Sequence, residues 1–249
     1  MSVQRPTDQP SFRITQEEEP ASETLIAGFS TFGLAGLTAV DYIVDQLELE
    51  ERGHIAVDQL PTITPFENGT PRHHTRFFTD DDRDITVLVG DLHVPPFAAE
   101  AFSTALLEWT AAHDIGEVTV LSGVPIPHGP EGHQVFYVAS EDYQRKRLAD
   151  TELPPMGRGF LDGVNASLMQ QGMETSFATG ILTTPVHSQA PDIDAALRLI
   201  ETTRSLYDIE LDTEPLETFA AEVKNYYEGL SQHLDTTEPR ERAHDYMFN

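Results

Sequence analysis

ETLIAGFSTFGLAGLTAVDYIVDQL, residues 23–47, decides how this chain folds. It opens on a short apolar run, Leu25, Ile26 and Ala27, of a length that suits a buried strand. Gly28, Gly33 and Gly36 then mark a tight turn. Beyond the turn Leu34, Leu37, Val40, Ile43, Val44 and Leu47 recur every three or four residues, the period of a helix. A strand, a glycine turn and a helix make the first half of a βαβ unit. The alternation continues downstream, so the chain reads as an α/β protein assembled on this unit.

Further strands are expected at residues 54–60 (HIAVDQL), 76–79, 84–90 (DITVLVG), 117–122 (EVTVLS), 134–139 (QVFYVA) and 174–182 (ETSFATGIL). DITVLVG has the near-continuous apolar character of a strand covered on both faces. Pro95 and Pro96 set up a helix, since proline suits a first turn. Ala98, Phe102, Ala105, Leu106, Trp109 and Ala112 supply its apolar face. Helices are also expected at 141–149, at 157–172 with Leu161, Val164 and Leu168 facing inward, and after Pro191, Asp192 and Asp194. Thr213 is placed to cap a last helix reaching Leu234. Residues 62–75, with two prolines, an Asn-Gly pair and two histidines, read as a loop. Residues 1–22 read as a polar N-terminal arm in which Phe12 and Ile14 can form a short edge strand. Residues 23–234 then form one domain, and 235–249 a polar tail.

A chain of 249 residues with 39% hydrophobic content can bury a real core. No apolar run approaches the roughly 18 residues that span a bilayer, and MSVQRPTDQPSF lacks the apolar centre of a signal peptide. A soluble, cytoplasmic protein is the expectation, with no membrane partner. The formal charge is −27, and the acids are spread along the chain instead of gathered in a tail. Such a surface repels itself in low salt, and about 1 M salt screens it within about 3 Å. An origin in a very salty cytoplasm, that of an extreme halophile, follows as an expectation. No basic patch exists to neutralise phosphates, which argues against nucleic acid as a partner. The absence of cysteine excludes disulfides, thiol catalysis and cysteine-based zinc sites.

The motifs that carry chemistry are sparse. Gly28, Gly33 and Gly36 stand as GxxxxGxxG at a strand-to-helix turn, whose amides can hold an anion. A steric role, in a sharp turn and a close helix contact, accounts for them equally. His128 and His133 flank a glycine- and proline-rich loop after a strand, the place where α/β folds bind ligands. Solvated loop histidines are the plainer reading. There is no HExxH, and Ser122-Gly123 lacks the preceding glycine of a nucleophile elbow. No cofactor, no metal and no catalytic set are assigned. The terminal Met247, Phe248 and Asn249 place a hydrophobic residue and a ring at the end of a polar segment. Docking of that ring and carboxylate on a partner is one use of such an end, and chance is the other.

Several segments together resemble the PAC2 family, the archaeal relatives of the proteasome assembly chaperones. They are GFSTFGLAGL at 28–37, DITVLVGDLHVPP at 84–96, VTVLSGVPIPHG at 118–129, MGRGFLDGVNASLM at 156–169 and GILTTPVHSQAPDIDAALRLIETTRSLYDIELDTEPL at 180–216. The series, in order, carries the likeness across about residues 20 to 235. The resemblance implies a three-layer α/β/α fold with a mixed central sheet, like that of the purine nucleoside phosphorylases and related hydrolase-like folds. It implies a homo-oligomer without an established catalytic set. It also implies a C-terminal hydrophobic–tyrosine–any motif that enters pockets of the proteasome core α ring, where the carboxylate meets a lysine. Met247, Phe248 and Asn249 match it here, with phenylalanine in place of tyrosine. A small-molecule hydrolase or phosphorylase with a site between the 28–36 turn and the 123–133 loop is the alternative.

Overall fold

The computed structural model describes residues 10–16, 22–79, 84–127, 129, 132–187 and 191–223. In chain order the elements are β1 (Ser11–Gln16), β2 (Thr24–Phe29), α1 (Ala35–Gln46), β3 (Glu50–Asp58), β4 (Phe66–Glu67), β5 (Thr70–Pro71), β6 (Thr75–Thr79) and β7 (Thr86–Gly90). There follow α2 (Ala99–Ala112), β8 (Glu117–Val124), β9 (Phe136–Ala139), α3 (Glu141–Tyr143), α4 (Gly163–Glu174), β10 (Ala178–Pro185) and α5 (Ile193–Tyr207).

Eight strands form one mixed sheet in the order β1-β3-β6-β7-β2-β8-β10-β9. β7, β2, β8 and β10 run parallel, and their apolar sequences are covered on both faces. β6, β3 and β1 continue antiparallel on one side, and β9 closes the other.

Side-chain alternation along β2 shows how the layers are assigned. Leu25, Ala27 and Phe29 point to one face and join Phe102, Leu106, Trp109, Val164 and Leu168 of α2 and α4. Gly28 points to the other, against Gly36 and Val40 of α1. α1 packs beside α5 and α2 beside α4, so the fold is three layers, α/β/α. Burying a large apolar side chain on both faces of such a strand is worth about 1.5–3 kcal/mol each.

Most expected elements form, with shifted bounds. The helix expected from residue 157 starts at Gly163, because Gly157 and Gly159 are costly inside a helix and Asp162 takes the N-cap position. That helix then runs on through Glu174, so the strand expected from 174 starts at Ala178. The segment read as a loop at 62–75 contains the hairpin β4–β5. Its turn is Asn68-Gly69, both at positive φ, the pattern of a two-residue hairpin turn. The helix expected at 141–149 begins as α3 but winds on as a π-helical turn, Gln144–Leu148. Among the described residues no helix is long and apolar enough to cross a membrane.

By contacts the chain divides into two compact units, Met1–Leu211 and Asp212–Asn249. In the second, residues 214–223 are helical. Thr213 Oγ1 donates to Glu217 Oε1 at 2.7 Å, and Asp212 Oδ1 accepts from the Glu214 amide at 3.0 Å. The expected continuation to Leu234 and the tail lie outside the described residues.

Candidate functional site

The parallel strands end together, and a cavity of about 580 Å³ opens at their carboxyl edge. It lies where the segments leaving β2 and β8 part: β2 leads to α1 on one face, and the chain after β8 returns as α4 on the other. Open α/β sheets bind ligands at such a switch point. The size falls in the usual range for small-molecule sites.

Its first wall is the turn after β2, Phe29 to Leu34. The Ser30 amide donates to Gly90 O at 2.9 Å, and the Leu34 amide to Thr31 O at 3.1 Å. Gly33 and Leu34 both take left-handed backbone, at φ +66° and +50°. Glycine adopts it freely, whereas a leucine there is strained by roughly 1 kcal/mol or more. Thr31 Oγ1 is buried and, among the described residues, has no hydrogen-bond partner.

Ser122 and Gly123 of β8 form the second wall. A Cβ on Gly123 would stand 2.6 Å from both Phe32 O and Val186 Cγ1, so only glycine lets the β2 turn come this close. The third wall is the start of α4: Asp162, Gly163, Val164 and Asn165. Asn165 Nδ2 donates to Ser122 Oγ at 3.2 Å. Asp162 is exposed, and although it is the N-cap residue its carboxylate makes no capping bond. The segment after β7 closes the cavity with His93, Val94 and Pro96; His93 Nδ1 lies 3.4 Å from Ser30 O.

Asp192, at the head of α5, is tied to the same turn. Its amide donates to Gly33 O at 2.8 Å. Its carboxylate accepts from the Ala195 amide at 2.9 Å and the His187 amide at 2.8 Å, and lies 2.9 Å from His187 Nδ1. Burial by itself works to raise the Asp192 pKa, but the two amides and the imidazole outweigh it and hold the carboxyl below its ordinary range. The His133 ring meets the His187 ring edge-on at 6.1 Å.

The sequence-derived residues are therefore divided. Gly33 lines the cavity. Gly28 and Gly36 do not; their bare Cα atoms let β2, α1 and β8 touch backbone to backbone. His133 stands beside His187, outside the cavity lining. His128, Met247, Phe248 and Asn249 lie outside the described residues. Thr31, Ser122, Asp162 and Asn165 were not singled out as lining residues, although each sits in a strand end or a helix start facing the carboxyl edge. Among the described residues no group of three or more histidines and carboxylates is arranged to hold a metal ion.

At the opposite edge lies a second polar group. Glu117, which opens β8, is fully buried. Its Oε1 accepts from Arg147 Nε at 2.7 Å and Thr24 Oγ1 at 2.9 Å, and Lys146 Nζ lies 3.2 Å from Oε2. The Arg147 guanidinium sits over the Tyr207 ring at 4.6 Å. Thr119 Oγ1 bonds both Tyr143 Oη and Tyr207 Oη. Burial pushes the Tyr143 pKa up to about 12 and that of Tyr207 well above its usual value, so both phenols stay neutral. The ring of Tyr143 fits because Gly180 has no side chain: a Cβ there would lie 2.6 Å from Tyr143 Cε2.

The PAC2 family model matches residues 25–231, which takes in the sheet apart from β1 and the first residue of β2, together with helices α1 to α5. The chain belongs to the PAC2 family. An uncharacterised protein of Methanocaldococcus jannaschii is 23% identical to it over 212 residues, covering 84% of this chain and 86% of that one. Pyrococcus furiosus PbaA, described as an archaeal homolog of proteasome-assembly chaperone, superposes with a TM-score of 0.81 at 17% identity, over 91% of this PAC2 chain and 94% of PbaA. Pyrococcus furiosus PbaB, described as an archaeal proteasome activator, gives 0.74 at 17% identity, over 89% and 99%. At these identities the structural likeness speaks for the shared fold.

Proposed function

We propose that this PAC2 protein is a non-enzymatic, proteasome assembly chaperone-like binding protein. The observation that carries this is the family match over residues 25–231, together with the likeness to PbaA and PbaB. In this reading several copies associate and present their tails, ending in Met247, Phe248 and Asn249, to the core α ring. Each tail is weak alone, and linking several raises the overall affinity through effective concentration. The Phe248 ring fills a pocket and the terminal carboxylate meets a cation. The site chemistry fits a binding role: the partner of Ser122 is the side-chain amide of Asn165, which cannot take up a proton as a general base does.

The test is co-purification with the proteasome core particle in molar KCl. The intact chain is expected to bring down the α ring, and a chain lacking residues 247–249 is expected to lose it. Unchanged capture by the shortened chain removes the tail from the mechanism. Failure of the intact chain to bind removes the proteasome as partner.

A further inference from the structure

We infer that the carboxyl-edge cavity binds a small, uncharged aromatic molecule bearing hydroxyl groups, and that it discriminates against the phosphorylated or carboxylated form of the same molecule. This goes beyond the proteasome reading and does not rest on it.

The apolar part of the ligand follows from the walls. Phe29 is buried at the end of β2, and Phe32, three residues on, is exposed at the same cavity. A flat ring is the shape that gains most against such a pair. Leu34, Val94 and Val164 add aliphatic contact.

The hydroxyls follow from the polar groups. The first amides of α4 carry no side-chain cap and are donors, while the Asp162 carboxylate beside them is an acceptor. A hydroxyl both donates and accepts, so it satisfies the two together. Thr31, which lines the cavity, offers a third group of the same dual kind; its hydroxyl oxygen is buried and, among the described residues, has no hydrogen-bond partner.

Exclusion of anions follows from charge. Among the described residues no lysine or arginine lines the cavity, and the one carboxylate there is Asp162. A helix N-terminus is equivalent to about half a positive charge, less than the full negative charge beside it.

Titration calorimetry in about 1 M KCl tests this on the full chain; direct hydrogen-bonding contacts survive at that ionic strength, where screening acts beyond about 3 Å. The probes are adenosine and 4-hydroxybenzyl alcohol, with adenosine monophosphate and 4-hydroxybenzoate as their anionic counterparts. Saturable binding is expected for at least one neutral probe, at least tenfold tighter than for its anion. Thr31→Val keeps the shape and removes the hydroxyl. It is expected to weaken the neutral probe about fivefold or more while the unfolding midpoint stays or rises. Asp162→Asn is expected to bring the anion within about threefold of the neutral probe. The proposal is overturned if neither neutral probe binds, if the anions bind the unaltered chain equally well, or if Thr31→Val leaves affinity unchanged.

Discussion

Gly28 of β2 and Gly36 of α1 meet backbone to backbone. A Cβ on Gly28 would overlap the Gly36 carbonyl and stand 2.6 Å from Val40 Cγ2, and one on Gly36 would lie 2.7 Å from the Leu121 carbonyl carbon. The two missing side chains let the first helix sink onto the centre of the sheet. The neighbours are mostly backbone, which cannot swing aside as a flexible side chain can. Overpacking of a core ordinarily costs 1–3 kcal/mol. Gly28→Ala and Gly36→Ala are therefore each expected to lose about 3 kcal/mol or more, read from guanidinium unfolding in molar KCl. Gly116→Ala, where nothing among the described residues lies within 4 Å of the new methyl, is the control and is expected to stay within about 0.5 kcal/mol. Equal, small effects at all three positions would mean that the close contact is absent.

Glu117 and Arg147 form the second relationship that a substitution can interrogate. Removing one partner of a buried ion pair costs about 3–5 kcal/mol, because the other is left unpaired. Arg147→Met strands the fully buried carboxylate with Lys146 and Thr24 as its remaining partners, and falls in that range. Glu117→Gln leaves cations that reach solvent, so about 2–3 kcal/mol is expected. The double variant is expected to be less harmful than the sum of the two, by 1 kcal/mol or more. Strict additivity in a double-mutant cycle counts against the pair as drawn.

Period and turn chemistry carried the reading of the fold, and the reason is physical. β2 is an unbroken apolar run because both faces are covered, and α1 repeats its apolar residues because one face is covered. Residues 157–162 were misread because Leu161, Val164 and Leu168 keep helical spacing while two glycines and Asp162 delay the start. The cavity was only partly legible. Gly33 could be flagged from its turn, but Thr31, Ser122, Asp162 and Asn165 come from three segments that meet only after the sheet assembles. Glu117 was hidden for a related cause: one acid among 42 carries no signal until the strand that opens with it is known to be buried. The basic run Arg145–Arg147, rare in so acidic a chain, was the available hint.

Asp41 of α1 gives a pH dependence with a definite sign. Burial first, and Asp91 next, raise its pKa from 3.8 to about 6; Arg76 and Arg72 oppose this and Asp45 adds to it. A carboxyl whose folded pKa exceeds its unfolded one binds more protons in the folded state. It therefore destabilises the fold above about pH 6, and that loss is recovered as pH falls from 6 toward 4. Asp41→Asn is expected to stabilise the chain at pH 7.5 and to have no such benefit at pH 4.5. The carboxylate is partly open to solvent, so the gain at pH 7.5 is held to under about 1 kcal/mol by screening. Guanidinium midpoints at the two pH values measure it. A gain of equal size at both would assign the effect to something other than this proton.

The last expectation concerns salt. Fifteen basic side chains face 42 acidic ones, so the carboxylates outnumber the cations by 27, as the difference 42 − 15 shows. Several basic side chains are already engaged, as in Arg72–Glu67 at 2.8 Å and Arg52–Glu50 at 2.8 Å, and the Arg147 and Lys146 contacts to Glu117 use two more. The surplus repels itself over about 10 Å at 0.1 M salt but over only about 3 Å at 1 M. Relief of even 3–4 kcal/mol of repulsion corresponds to a rise of about 10 °C in melting temperature for a chain of this size. Melting followed by circular dichroism from about 0.1 to 2 M KCl is expected to show that rise. Sucrose at matched osmolality strengthens burial without screening charge, and is expected to reproduce only part of it. If sucrose matches KCl throughout, exclusion from the surface and not charge screening is the cause, and the acidic shell loses its assigned role.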